Sequence, residues 1–416
     1  MLVLPALVLV LSLCKVHAAQ CEPVLPPAEL YSPLVAQKIL RTALTEHEPA
    51  IYPQYTDRTA GDWIYFVPDL WTSGFFPATL YAMNTRAKLC HSKAGNTSQW
   101  LELGRQWSTA EVPLEHNNTV GHDVGFLSYP FVEELAVNPE NETAINAVNT
   151  FATDLALRFS PIVGCTRSWD TADPTDFEVI IDNMMNLEVL FVSASLTGNN
   201  TLREIAISHA TKTMENHIRP DGSSFHVVEY NATTGAVVAR FTAQGYANNS
   251  TWSRGQAWGI YGFANSTGFL ISDYCAVYMH TREMDFLNTS RRMASYFLTH
   301  LPADGIVPWD FNAPLNPPRP ADSSAAMIAV NGLLLLSQQE LSLNPPNVTG
   351  SAYYVHAALQ VLRDNTELAW RPAWQSLLAN GTVNNPAGEN LTGIVYGDYF
   401  FVTAGNTLLS MDLATC

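Results

Sequence analysis

Apolar residues recur along most of this chain at steps of three and four. Ile180, Met184, Leu187, Phe191 and Ala194 are one such series, which predicts one apolar face of an α-helix. The same spacing predicts helices over residues 33–46, 74–88, 126–137, 144–158, 202–217, 271–280, 286–301, 325–341 and 354–362, with shorter pieces near 256–263 and 400–411. Glycine, proline or Asn-x-Ser/Thr stretches separate them. Many are apolar on more than one side, so they are expected between other elements rather than on a surface. One segment departs from this pattern. Residues 225–230 alternate at period two, 231–235 have turn chemistry, and 236–241 form a second β-like run, which predicts a β-hairpin. No linker divides the chain. The expectation is a single all-α domain over residues 19–416, with helix pairs closed into a ring or stacked as a solenoid.

The first residues follow a different rule. Leu2 to Leu13 is an apolar run, and Val16-His17-Ala18 resembles a small-residue cleavage site. The run is shorter than the roughly 20 residues that span a bilayer, so residues 1–18 read as a secretory signal peptide. No later run is long enough for a membrane helix. Asn-x-Ser/Thr triplets begin at Asn96, Asn117, Asn141, Asn199, Asn231, Asn248, Asn249, Asn265, Asn288, Asn347, Asn380 and Asn390. They add the expectation of N-glycans on a secreted, extracellular protein. Of six cysteines, Cys14 leaves with the signal. Cys21, Cys90, Cys165, Cys275 and Cys416 remain, so at least one thiol is unpaired. A bond joining Cys21 to Cys416 would staple the termini. With 38 Asp+Glu against 21 Lys+Arg, the chain has a net charge of −17, which excludes general nucleic-acid binding.

Few residues have the pattern of chemistry. Asp182, Asn186, Val189 and Ser193 fall opposite the apolar stripe of their predicted helix, on a face without Lys or Arg. That face suits either solvent or a cavity. Asp123, in Gly121-His122-Asp123-Val124-Gly125, stands where a helix cap is expected, or is one of a carboxylate pair. Two close carboxylates raise the pKa of one and keep it protonated as a general acid. Arg254 and Trp258 lie four residues apart in Trp252-Ser253-Arg254-Gly255-Gln256-Ala257-Trp258 and would share a helix face. A guanidinium can hold a carboxylate bidentately and an indole can stack on a sugar ring. Trp71 and Trp169 are further candidate aromatic walls, or core.

In order along the chain stand LWTSGFFP from Leu70, GHDVGF from Gly121, TRSWD from Thr166 and IIDNMMNLEVL from Ile180. FHVVEY from Phe225, QGY from Gln244, STWSRGQAWGIYG from Ser250, DSSAA from Asp322 and YGDYFF from Tyr396 follow. With these pieces the chain resembles the unsaturated glucuronyl hydrolases, glycoside hydrolase family 88, from about Leu30 to Leu409. The resemblance implies an (α/α)6 barrel of six helical hairpins, with the β-hairpin near the cavity mouth. It implies removal of a 4,5-unsaturated uronate from the non-reducing end of lyase-made oligosaccharides, by hydration of the vinyl ether. Asp182 would then be the general acid/base and Asp123 its partner. Arg254 would lie near the uronate carboxylate, and Trp258, Trp252 and Trp169 would form sugar-contacting walls. His122, His226, Gln244 and Thr242 would be polar contacts. No metal or organic cofactor is implied.

The chain departs from the family pattern in one respect. Lysine occurs only at 15, 38, 88, 93 and 212, and Asn390-Leu391-Thr392-Gly393-Ile394-Val395 precedes Tyr396. Family members that favour sulfated fragments carry a serine-lysine cluster there, so a sulfate preference is not expected. Three other readings stand beside the hydrolase: an unsaturated rhamnogalacturonyl hydrolase, a polysaccharide lyase on the same barrel, and a sugar-binding protein with a decayed site. The acids at 123 and 182 and the arginine at 254 argue against decay.

Overall fold

The computed structural model describes residues 24–45, 50–91, 95–264, 281, 283–314 and 319–416. The leader, the helix expected over 271–280, and Cys14, Cys21 and Cys275 lie outside the described residues. In chain order the helices are α1 (Pro33–Ala43), α2 (Phe75–Leu89), α3 (Thr97–Ser108), α4 (Val124–Leu127), α5 (Tyr129–Val137) and α6 (Glu142–Leu157). They continue as α7 (Asn183–Thr197), α8 (Asn200–Asn216), α9 (Ser253–Ala264), α10 (Met284–Thr299), α11 (Ser323–Ser342), α12 (Val348–Ala369) and α13 (Val395–Ser410).

Helices α2, α4–α5, α7, α9, α11 and α13 form a closed inner ring, because each packs on the next and α13 returns to α2. Five of them pack on the helix that follows in the chain: α2 on α3, α5 on α6, α7 on α8, α9 on α10 and α11 on α12. The Ala28–Tyr31 turn packs on α13, where the Tyr31 hydroxyl donates to the Gly405 carbonyl at 3.0 Å. This is the expected (α/α)6 barrel. The sequence reason is visible in α11, where every residue from Ser323 to Leu336 is buried. A helix without a polar stripe has nowhere to lie except between neighbours.

Boundaries follow local chemistry. The helix expected over 126–137 is two helices, because Pro130 has no N–H and its ring crowds the preceding turn. Helix α3 was not expected. Asn96 starts it by accepting from the Ser98 N–H, and Trp100 and Leu103 are its buried face.

The β excursion is larger than a hairpin. Strands β1 (Tyr52–Thr56) with β2 (Trp63–Phe66), β3 (Phe159–Ser160) with β4 (Cys165–Thr166), and β8 (Gly381–Asn384) with β9 (Glu389–Thr392) are antiparallel pairs. The expected hairpin, β6 (Val227–Asn231) and β7 (Val237–Phe241), gains β5 (Asp176–Ile180) as a third strand in the order β5-β6-β7. Ile180 is therefore a strand residue, not the start of the helical stripe. Isoleucine at a period-two position suits either element, and only pairing with β6 decides it.

The expected Cys21–Cys416 staple is corrected. Cys416 is bonded to Cys90, with Cα atoms 5.5 Å apart. Cys165 is a buried free thiol.

Candidate active site

Strand register places the first acid. Val179 pairs with Val228 and Ile180 with Val227, and the Ile181 N–H then donates to the His226 carbonyl at 3.1 Å. The chain turns into α7 at Asp182, so Asp182 is brought beside His226 at the end of the sheet. His226 Nε2 stands 3.9 Å from Asp182 Oδ1. Asp182 caps the helix by position only; its side chain makes no cap bond, and buried Oδ1 has no hydrogen-bond partner.

The second acid arrives from α4. Its entry carries Gly121, which has φ +66, a region that side chains disfavour. A Cβ there would stand 2.7 Å from the Ser168 carbonyl oxygen. His122 follows, fully buried, with Nε2 2.9 Å from Asp123 Oδ1. Asn186, one turn into α7, joins the two acids. Its Nδ2 donates to Asp123 Oδ1 at 3.3 Å and toward the Asp182 carbonyl at 3.5 Å, while its Oδ1 accepts the Phe126 N–H at 3.0 Å. Gly125 permits this approach, since a Cβ there would lie 2.5 Å from Asn186 Cα.

Burial pushes the Asp182 carboxyl up to about 7 against the pull of the Arg254 guanidinium; the Asp123 carboxylate adds to the rise and His122 opposes it. Burial, with the Arg254 charge behind it, lowers His226 to about 3, so its ring is neutral. His226 Nδ1 accepts the Ala243 N–H at 3.3 Å, which leaves the proton on Nε2, facing Asp182.

Arg254 is buried, and both of its terminal nitrogens are engaged by the protein. Its Nη1 donates to Asp322 Oδ2 at 2.9 Å and to the Thr382 carbonyl; its Nη2 donates to Gln244 Oε1 at 3.0 Å and the Val383 carbonyl at 2.7 Å. Bidentate capture of a substrate carboxylate, expected from the sequence, is therefore corrected. All four terminal N–H groups are occupied, and the carboxylate that Arg254 holds is Asp322. The Nε–H alone lacks a partner.

The tryptophans divide. Trp71 and Trp169 are half-buried. Trp71 lies 5.0 Å from the Tyr396 ring, and Trp169 meets His226 edge-on at 6.1 Å. Trp252 is sandwiched between His226, 4.4 Å away, and the Arg254 guanidinium, also at 4.4 Å. Trp258 is wholly buried among Phe126, Tyr396 and Phe400. The expectation that Trp252 and Trp258 present faces to a sugar is corrected, because neighbouring rings and the guanidinium cover both. Thr242 and Gln244 sit on the loop after β7, Thr242 Oγ1 at 3.2 Å from His226 Nδ1.

These groups share one end of the barrel. Asp123, Asp182 and Asp322 stand at the N-terminal ends of α4, α7 and α11, Trp71 and Trp252 just before α2 and α9, and Tyr396 in the first turn of α13. Helix N-termini carry about half a positive charge each, so their convergence makes this end attractive to an anion despite the net charge of −17. Asn186 was named only as part of a polar helix face, and Asp322 and Tyr396 only within motifs; none of the three had been given a role. Asp322 was legible as a cap, since its Oδ1 accepts the Ser324 and Ala325 N–H groups, but not as the partner of Arg254. Among the described residues no cluster of three His, Cys, Asp or Glu could hold a metal ion, and no helix is long and apolar enough to cross a membrane.

No family model matches the chain. An unsaturated glucuronyl hydrolase of Formosa agariphila is 35% identical over 343 residues, which cover 80% of this chain and 78% of that relative. An unsaturated chondroitin disaccharide hydrolase of Streptococcus pyogenes is 31% identical over 303 residues, covering 71% of this chain and 70% of that one. The solved structure of the unsaturated glucuronyl hydrolase of a Bacillus species superposes with a TM-score of 0.78 at 26% identity, over 91% of this chain and 95% of that chain.

Proposed function

The chain belongs to the unsaturated glucuronyl hydrolase family, and from that premise we propose that it releases a 4,5-unsaturated uronic acid from the non-reducing end of lyase-made oligosaccharides. It is a glycosidase. The observation that carries the reading is Asp182, a buried carboxyl held up to about 7 with a partnerless oxygen, in a residue whose main-chain carbonyl shares the Asn186 amide with the Asp123 carboxylate. Such an acid is protonated near neutrality and can deliver its proton to a carbon.

Asp182 gives that proton to C4 of the vinyl ether. Positive charge develops at C5 and the ring oxygen, and water adds at C5. Asp182 takes the proton that this water loses and is restored. The product is a hemiketal at C5. It opens to a ketone, which turns C1 into a hemiacetal that expels the aglycone sugar; one water is added and one glycosidic bond is lost. Asp123 and His122 hold the ring, and the Asp123 charge helps to sustain the acid's high pKa. The neutral His226 offers its Nε2–H to the Asp182 carboxylate when the proton has left. Trp71 and Trp169 flank the sugar, Thr242 and Gln244 contact it from the loop, and the Arg254 charge attracts the uronate from beneath. With no lysine after position 212, the chain lacks the lysine of a sulfate-binding cluster, and no preference for a sulfated aglycone is expected.

The ultraviolet absorbance of an unsaturated disaccharide tests this. It should fall with time, and Asp182→Asn should abolish the fall while circular dichroism stays unchanged. A rise from intact polymer would indicate a lyase, and a flat trace with binding would indicate a lectin. We also read the protein as secreted, with its leader removed after residue 18 and N-glycans on some of its Asn-x-Ser/Thr sites, on the strength of the apolar run at 2–13 and the number of such sites.

A further inference from the structure

Asp310 lies outside the residues discussed so far. It is fully buried, next to Trp252 in a short bridge between the two segments. Its Oδ2 accepts the Tyr246 N–H at 2.9 Å and lies 2.6 Å from Ser250 Oγ; its Oδ1 accepts the Asn312 N–H at 2.9 Å. One carboxylate thus ties both sides of the loop 242–250 to the segment behind it. The turn sits directly on it, since a Cβ on Gly245 would meet Thr242 Oγ1 at 2.6 Å and Asp310 Oδ2 at 2.9 Å.

The consequence reaches the acid. In the turn, Thr242 Oγ1 accepts the Gly245 N–H at 2.7 Å. Its own proton is then available to His226 Nδ1 at 3.2 Å, beside the Ala243 N–H. With two donors aimed at Nδ1, that nitrogen cannot carry a proton, and Nε2–H must face Asp182. The same loop carries Gln244 onto Arg254.

We propose that Asp310 is a positioning residue for the reaction: by anchoring the loop 242–250 it fixes the His226 tautomer that faces Asp182 and holds Gln244 on Arg254. The inference rests on the hydrolase reading only for its kinetic consequence. The charged and titratable groups around Asp182 are Asp123, His122, His226, Arg254 and Tyr396; those around Asp310 are Arg219 and Arg319.

Asp310→Asn keeps the shape but turns an amide N–H2 toward one of the converging donors. Gly245→Ala leaves every charge in place and displaces the Thr242 hydroxyl. The probe is side-chain ¹⁵N NMR of the histidines, with kcat, KM and the pH–rate profile measured on an unsaturated disaccharide. In the wild type, His226 Nδ1 should resonate as an acceptor nitrogen. In both variants the two tautomers should mix, kcat should fall at least tenfold, and the alkaline limb should move to higher pH as Asp182 loses its donor. A merely structural role would lower Tm and leave tautomer and limb in place. Folded Asp310→Asn with the wild-type tautomer and limb overturns the proposal; if it does not fold, Gly245→Ala decides by the same signals. A wild type that leaves the chromophore intact rejects the hydrolase reading, while the tautomer still judges the loop.

Discussion

At the scale of single residues, the site depends on one acid kept neutral and one base kept charged, by different means. Asp182 is neutral because burial outweighs the pull of Arg254. Its carboxyl has a pKa of 3.8 when solvated and about 7 when folded, so folding favours its protonated form. The stability this lends is complete below about pH 4 and is lost as pH rises toward 7. Asp182→Asn should therefore melt higher than the wild type at pH 8, relative to the difference between them at pH 4; equal differences at both pH values would place the carboxyl in solvent. Activity should likewise decline as pH rises through about 7. Arg254, in contrast, keeps its charge because Asp322 and two carbonyls surround it. Arg254→Ala leaves Asp322 buried without a counter-charge, which costs about 3–5 kcal/mol. Thermal unfolding should show that loss, where a residue acting only on substrate would change KM and leave Tm alone.

At the scale of elements, close backbone approach decides the geometry. Helix α4 meets α7 where Gly125 faces Asn186, with no room for a Cβ. Gly125→Ala should separate Asp123 from Asn186 and cost about 1–3 kcal/mol by overpacking. Turnover should fall by more than that loss of stability explains, measured on protein shown to be folded at the assay temperature; proportionate losses would make the contact purely structural. The same scale explains why some signals carry two readings. Asn96, Asn141, Asn199 and Asn347 each begin an Asn-x-Ser/Thr triplet, and each caps a helix by accepting a backbone N–H. Asn141 and Asn347 also donate their Nδ2 to Glu134 and Glu340. A capping asparagine and a glycosylation triplet look alike in one sequence, because both favour a short polar run before a helix. The stripe through Ile180 did mislead: a strand that runs directly into a helix changes period without a break in hydrophobicity.

At the scale of the whole molecule, the Cys90–Cys416 bond fixes the C-terminus to the end of α2. Peptide mass mapping of the protein from a eukaryotic secretion host should recover the peptides of Cys90 and Cys416 joined, an N-terminus near Ala19, and a mass decrease on enzymatic removal of N-glycans. Free Cys416 would refute the bond; an intact Met1 or an unchanged mass would refute the export reading. Most of the helix pattern was legible in the chain, because inner barrel helices are buried on all sides and announce it by their lack of long charged residues, as α11 does. Asp123, Asp182 and Arg254 could be singled out as candidates from their residue types and motifs. The chain alone did not contain what Arg254 binds, which tryptophans stay partly exposed, or which nitrogen of His226 carries the proton. Those depend on contacts such as Arg254 with Asp322, 68 residues apart, and Asp123 with Asn186, 63 apart. Side-chain type sets what a group can donate or accept, while its partner and degree of desolvation exist only once distant segments are packed together.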